Sequence, residues 1–182
     1  ADSMRVQWTI DQLGRKWNTP FFLAVGLYAP HFPNYCPQKY FDLYKRSEIK
    51  LPPYKKDDLD DLPENIRRQK INRSRIHQRL VKLEAVQEAL HGYLACMSYA
   101  DAQIGHVLNA LEASPYSDNT IVVLWSDHGY HHGEKGDWGK HTLWDGGVRV
   151  TAWVWSPLIP APRRGTAWDG LAHASDWLPT FG

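Results

Sequence analysis

Cysteine is scarce in this sequence. Cys36 and Cys96 are the two cysteines among 182 residues, too few for a disulfide framework, so both are expected as free, buried thiols. Long apolar runs are missing as well: none approaches the roughly 18–20 residues of a membrane-spanning helix. Neither charge sign is in excess, since 21 Lys plus Arg stand against 20 Asp plus Glu for a net +1. That balance argues against a nucleic-acid partner, which normally meets a basic excess. No His-Glu-x-x-His or Cys-x-x-Cys spacing speaks for zinc. There is no internal repeat and no low-complexity tract. Asn72-Arg73-Ser74 is the one glycosylation sequon. The chain opens Ala-Asp-Ser-Met without a basic-then-apolar leader and closes at Trp177-Leu178-Pro179-Thr180-Phe181-Gly182, where a new helix begins. It is therefore expected to be an internal piece of a longer protein.

The rest is ordinary for a globular chain: 43% hydrophobic and 23% charged, with length for one domain and a sizeable core. Nine Trp and nine Tyr favour an enzyme or binding domain with aromatic-lined surfaces. Val6, Ile10, Leu13 and Trp17 recur at helical spacing behind a cap at Ser3, predicting a helix over 3–17. Phe21 to Leu27 is a continuous apolar run, as in a central strand covered on both faces. Residues 28–63 hold six prolines and read as a long irregular excursion, with a helical turn or two between Gln38 and Tyr44. Val86, Leu90, Tyr93, Met97, Ala100, Ile104, Val107 and Leu111 step by three and four, predicting one helix from about Arg75 to Ala113, ended by Ser114-Pro115. Thr120–Trp125 and Val148–Trp155 are the next strands. This alternation predicts an α/β domain with a mostly parallel sheet flanked by helices.

Chemistry concentrates between Ser126 and His141. Ligands of open α/β sheets bind beyond the carboxyl ends of strands, where Asp127 and His128 stand. A carboxylate beside an imidazole makes half a set of metal ligands; the alternative is a turn with a surface histidine. Lys140 offers a cation to an anionic group, or is a solvated charge. Glycines at 129, 133, 136 and 139 would let the backbone fold tightly enough to return Lys140 to the strand end. Tyr28, Tyr35, Tyr130, Trp138 and Trp144 are near this stretch or the earlier strand, ready to stack on a sugar ring or to pack round the sheet edge.

Four ordered blocks resemble the type I sulfatases of the alkaline phosphatase superfamily. The strand, Ser126-Asp127-His128-Gly129 and Gly133-Glu134-Lys135-Gly136-Asp137-Trp138-Gly139-Lys140 resemble their metal-and-lysine segment. Pro20-Phe21-Phe22-Leu23-Ala24-Val25-Gly26 followed by Pro30-His31-Phe32-Pro33 is similar to the strand leading to their Pro-His-x-Pro histidine. Tyr99-Ala100-Asp101-Ala102-Gln103-Ile104-Gly105 resembles the intervening helix, and Asp176-Trp177-Leu178-Pro179-Thr180 a later Asp-x-x-Pro-Thr. Up to His141 the likeness is to iduronate-2-sulfatase and choline-sulfatase-like members; from Thr142 it turns toward arylsulfatase B-like ones. His132 stands where the first branch has an apolar residue.

The resemblance implies an alkaline-phosphatase-like fold, incomplete here, and residues 1–182 as the later-middle portion of one catalytic domain without its nucleophile half or C-terminal subdomain. It implies hydrolysis of a sulfate ester, on a sulfated small molecule or a glycan. The attacking group would be a formylglycine, made from a Cys/Ser-x-Pro-x-Arg motif outside this chain, assisted by a divalent cation, most often calcium. Asp127 and His128 become metal ligands, with His128 alternatively touching sulfate or nucleophile. Lys140 becomes the cation on a sulfate oxygen and on the leaving oxygen, and His31 the sulfate-binding proton donor. The remainder of the domain is the implied partner, and the secreted, lysosomal or periplasmic space the implied location. Neither cysteine fits the nucleophile motif, so the isolated chain is expected to bind metal weakly and turn nothing over. Two other readings stay open: a non-catalytic sulfatase-like binding or structural domain, and a phosphoester hydrolase of the same superfamily.

Overall fold

Helix α1 spans Asp2–Leu13 in a computed structural model that describes residues 1–53, 55, 57–73 and 75–181, with backbone alone at 71–73. It buries Val6, Thr9 and Leu13 on one face, as the three-and-four spacing requires. The helix starts before the expected Ser3 cap: Ala1 holds the cap position, with no side-chain cap bond. Asp2 is 5% exposed and serves the next segment instead. Its carboxylate accepts the backbone N–H groups of Tyr28 and Ala29 at 3.0 and 2.9 Å and the Arg5 guanidinium at 2.9 Å.

Residues 21–27, expected as a central strand, are without ladder partners among the described residues, and Phe22 is 93% exposed. Two cis peptide bonds, Ala29–Pro30 and Phe32–Pro33, flank His31. The expected turn then appears as α2, Gln38–Phe41. A helix that apolar spacing did not announce follows Pro63: α3, Glu64–Arg73, whose first turn pairs Glu64 with Arg67 and Arg68 at 2.7 Å each. Ser74 of the sequon lies outside the described residues.

The single long helix expected from Arg75 is two, α4 (Arg75–Lys82) and α5 (Val86–Glu112). Glu84 adopts φ 53°; its N–H bonds the Val81 carbonyl at 3.1 Å and the Ala85 N–H bonds that of Leu80 at 2.8 Å. This is the Schellman closure of a helix, here without the usual glycine. Strand β1 (Val122–Trp125) follows, then β2 (His131–His132) and β3 (Trp138–Gly139), a short helix α6 (Asp145–Val148), strand β4 (Ala152–Trp155) and a final helix α7 (Trp177–Phe181).

The mostly parallel sheet is corrected for this chain: β1 pairs β4 antiparallel, Val122 opposite Trp155, and β2 pairs β3 antiparallel, His131 opposite Gly139. Apolar runs report burial and leave strand direction open. Val148, expected in the last strand, instead completes α6, and residues 149–151 lead into β4, where the Ser126 N–H bonds the Thr151 carbonyl at 3.0 Å.

The core is narrower than the length suggested. Tyr40, Ala95 and Tyr99 form its centre, with Ala29, Cys36, Phe41 and Ala102 against them, and α1 lies along α5, where the Ser3 N–H reaches the Tyr99 hydroxyl at 3.2 Å. The chain exposes 13524 Å², against about 9000 Å² for a compact protein of 21.0 kDa. All four residues of β4 are exposed. Large apolar faces are thus left open, of the kind that other protein surface covers.

Asp2→Ala in the full-length protein removes the acceptor of two backbone N–H groups. It should cost about 3 kcal/mol in denaturant unfolding and speed hydrogen exchange at Tyr28 and Ala29. Unchanged stability and exchange would contradict the role of this carboxylate.

Candidate active site

His31 and Lys140, far apart in sequence, line one cavity of about 710 Å³ together with Phe32, Ile66, Gln69, Lys70, Tyr130, Trp138 and Trp144. His31 is stacked on Tyr28 with ring centroids 4.6 Å apart. Its Nδ1 stands 2.6 Å from the Phe32 carbonyl; a carbonyl only accepts, so Nδ1 carries the proton and Nε2 is left for a ligand.

Lys140 follows β3 because the chain between β2 and β3 closes on itself. The Gly133 N–H bonds the Asp137 carbonyl at 2.8 Å. Gly133, Gly136 and Gly139 have φ of 125°, 63° and 121°, conformations that a side chain resists. Gly129 serves differently: a Cβ there would stand 2.2 Å from the Gly146 carbonyl oxygen, so this glycine lets α6 approach the end of β1. Lys140 forms no ion pair among the described residues.

Asp127 and His128 meet each other but are not among the cavity-lining residues. The Asp127 side chain is 81% exposed, and its Oδ2 is 3.4 Å from His128 Nε2. His128 Nδ1 donates to the Gly129 carbonyl at 2.8 Å, so in the neutral ring the Nε2 lone pair faces the carboxylate. Two acceptors that face each other suit a cation between them. They fit as part of a ligand set only, since calcium takes six to eight oxygens. Among the described residues no group of three or more His, Cys, Asp or Glu side chains could hold a metal ion.

Neighbours that sequence reasoning missed shape the cavity. Lys70, from α3, pairs with Asp137 in the Lys140 loop and stands 4.9 Å from the centre of the Trp144 ring. Lys135 approaches the same ring at 5.7 Å and pairs with Asp58 at 3.0 Å. The Lys135 backbone N–H, with its ammonium, holds the Asp58 carboxyl below the usual range. Trp144 is therefore engaged by cations, and Tyr35 is 80% exposed. The charge-rich sequence of α3 carried no signal for Lys70, whereas Asp137 lay inside the motif.

Behind the loop, His131 is 2% exposed and its Nε2 bonds the Thr142 hydroxyl at 2.7 Å. The His132 ring packs on Tyr93, Tyr130 and Trp138 with centroids 4.2, 5.0 and 5.1 Å away.

The sulfatase family model matches residues 5–182. A sulfatase of Formosa agariphila is 39% identical over 164 residues, 90% of this chain and 32% of that protein. The iduronate 2-sulfatase of Mus musculus is 33% identical over 88% of the chain and 32% of its own length. The crystal structure of the sulfatase yidJ from Bacteroides fragilis superposes with a TM-score of 0.57 at 22% identity, covering 86% of this chain and 30% of that one, which speaks for the fold. The chain belongs to the sulfatase family and has an incomplete α/β domain of its alkaline-phosphatase-like fold. It spans about a third of the length of these relatives.

Burial pushes His131 and His132 below the ordinary histidine value; Asp137 and Glu134 pull His131 back up, Glu134 does so for His132, and Lys70 presses His131 further down. Both rings are neutral in the fold, while an unfolded loop takes up protons near pH 6.5. Stability of residues 130–141 should therefore be level above about pH 6.5 and fall as the pH drops through that value toward the lower folded ones. The hydrogen-exchange protection of this loop, corrected for the intrinsic pH dependence of exchange, should fall below about pH 6.5, and His132→Phe should flatten the dependence. A pH-independent loop would contradict this account.

Proposed function

We propose that the protein hydrolyses a sulfate ester, with His31 and Lys140 handling the sulfate. The observation that carries this reading is the cavity both side chains share, in a chain of the sulfatase family. The Lys140 ammonium, without a carboxylate partner among the described residues, is available to a sulfate oxygen and to charge that develops on the leaving oxygen. His31, with Nδ1 committed to the Phe32 carbonyl, presents Nε2; in the protonated ring this N–H donates to the leaving oxygen.

Asp127 and His128 join a divalent cation site, calcium by preference, whose remaining ligands come from outside this chain. Such a cation, when bound, withdraws charge from the sulfate as a Lewis acid. The nucleophile, a formylglycine, also comes from outside: the chain contains no Cys/Ser-x-Pro-x-Arg sequence. The remainder of the domain would cover the open faces of β1 and β4, and the isolated chain would be inactive. The substrate is a sulfated small molecule or glycan; Tyr130, which lines the cavity and is partly exposed, suits a sugar face better than Trp138, which is 4% exposed, or Trp144, whose ring faces two lysines.

In the full-length protein, Lys140→Ala should lower sulfate-ester turnover about 10²–10³-fold with the fold intact. His31→Ala should cost about 10²–10⁴-fold. Near-normal hydrolysis by either variant, measured against a chromogenic aryl sulfate, would overturn that residue's assignment.

A further inference from the structure

The backbone that presents Lys140 is tied down on both sides by one residue of another element. Before Lys140, the Asp137 carboxylate accepts the Trp138 N–H on Oδ1 at 2.9 Å and the Lys70 ammonium on Oδ2. After Lys140, the same ammonium stands 4.9 Å from the centre of the Trp144 ring, within cation–π range. Between these two contacts the chain makes a left-handed turn. His141 has φ 70°, a conformation that a residue with a Cβ keeps only where its surroundings impose it. One restraint is the Thr142 hydroxyl, bonded to His131 Nε2 at 2.7 Å. Lys70 supplies another from α3, 67 positions before Asp137 in the chain. The Lys70 and Asp137 side chains are 12% and 15% exposed, so water and salt screen their attraction little.

We infer that Lys70 is a positioning residue for Lys140, an inference that rests on the reading that Lys140 receives the sulfate. The Lys70 ammonium clasps both flanks of the turn, so the Lys140 ammonium meets a sulfate oxygen from a fixed place and needs no ordering at each turnover. The bridge also keeps Lys140 available. Asp137 lines the same cavity as Lys140, and its carboxylate, once held by Lys70, does not compete with the sulfate for the Lys140 ammonium. Lys135 is no substitute, because its ammonium is paired with Asp58 at 3.0 Å. Without Lys70 the turn loses its brace, and the cavity gains a carboxylate that draws Lys140 away from the ligand. Both effects reach the reaction through Lys140.

The test is a double-substitution cycle in the full-length protein, with kcat/KM measured on a chromogenic aryl sulfate and folding followed by near-ultraviolet circular dichroism. Lys70→Met should lower kcat/KM by about 10²-fold. Lys70→Arg, which keeps a cation for both Asp137 and the Trp144 ring, should restore most of that loss. In the Lys140→Ala background, Lys70→Met should cost little more, since no ammonium is left to position. A loss of the same factor in both backgrounds would mark a general effect on the fold and overturn the inference. Near-normal kcat/KM in Lys70→Met beside a slow Lys140→Ala would overturn it as well. Near-normal kcat/KM in Lys140→Ala would instead overturn the sulfate reading, and the inference with it. If Lys70→Met yields no folded protein, Asp137→Asn carries the same cycle with the same two comparisons, because it keeps an acceptor for the Trp138 N–H and removes the charge that Lys70 pairs with.

Discussion

One stretch of α5, from Gly92 to Tyr99, is the wall on which both halves of the cavity lean. Gly92 admits Asn34 and Tyr99 packs edge-on against Tyr40 at 5.3 Å, so the chain that follows His31 is fixed to this stretch at two points. Tyr93, beside Gly92, packs on Tyr130 and His132 at 5.3 and 4.2 Å and so holds the base of the Lys140 loop. Residues three, four and seven apart share a helix face. That face brings a histidine and a lysine more than a hundred positions apart into one cavity. Without it, neither the proline-rich segment nor the glycine-rich loop has enough regular structure of its own to hold a position.

Charge is organised around the same cavity by commitment. Lys70 and Lys135 stand beside it, but each already pairs with a carboxylate, Asp137 and Asp58. These two bridges are mostly buried, and they join α3 and the excursion before it to the Lys140 loop. Removing one partner of such a pair leaves a poorly solvated charge, so the bridges serve location more than net stability. Lys140, unpaired among the described residues, keeps its charge for a ligand. The Trp144 ring is engaged by both committed lysines.

Much of this site was legible in the sequence. The Ser126–Lys140 stretch stood out by residue type and spacing, Pro30-His31-Phe32-Pro33 by its resemblance to the sulfatases, and the glycines at 133, 136 and 139 do adopt the conformations that their presence suggested. What stayed hidden were the long-range relations. Glu84 in a left-handed turn breaks the long helix where no glycine warned of it, because two backbone hydrogen bonds outweigh the local preference. The helix at Glu64–Arg73 lacks an apolar stripe and is supported by ion pairs, which hydropathy does not report. The antiparallel pairing of β1 with β4 depends on how distant segments return to one another. Apolar runs do not encode that return.

The central claim is that His31 and Lys140 together receive the sulfate group. The most direct test is a crystal structure of the full-length protein soaked with inorganic sulfate. The account predicts a sulfate in the cavity within hydrogen-bond distance of both Lys140 Nζ and His31 Nε2. A sulfate bound by the active centre with either side chain turned away from it would contradict the account.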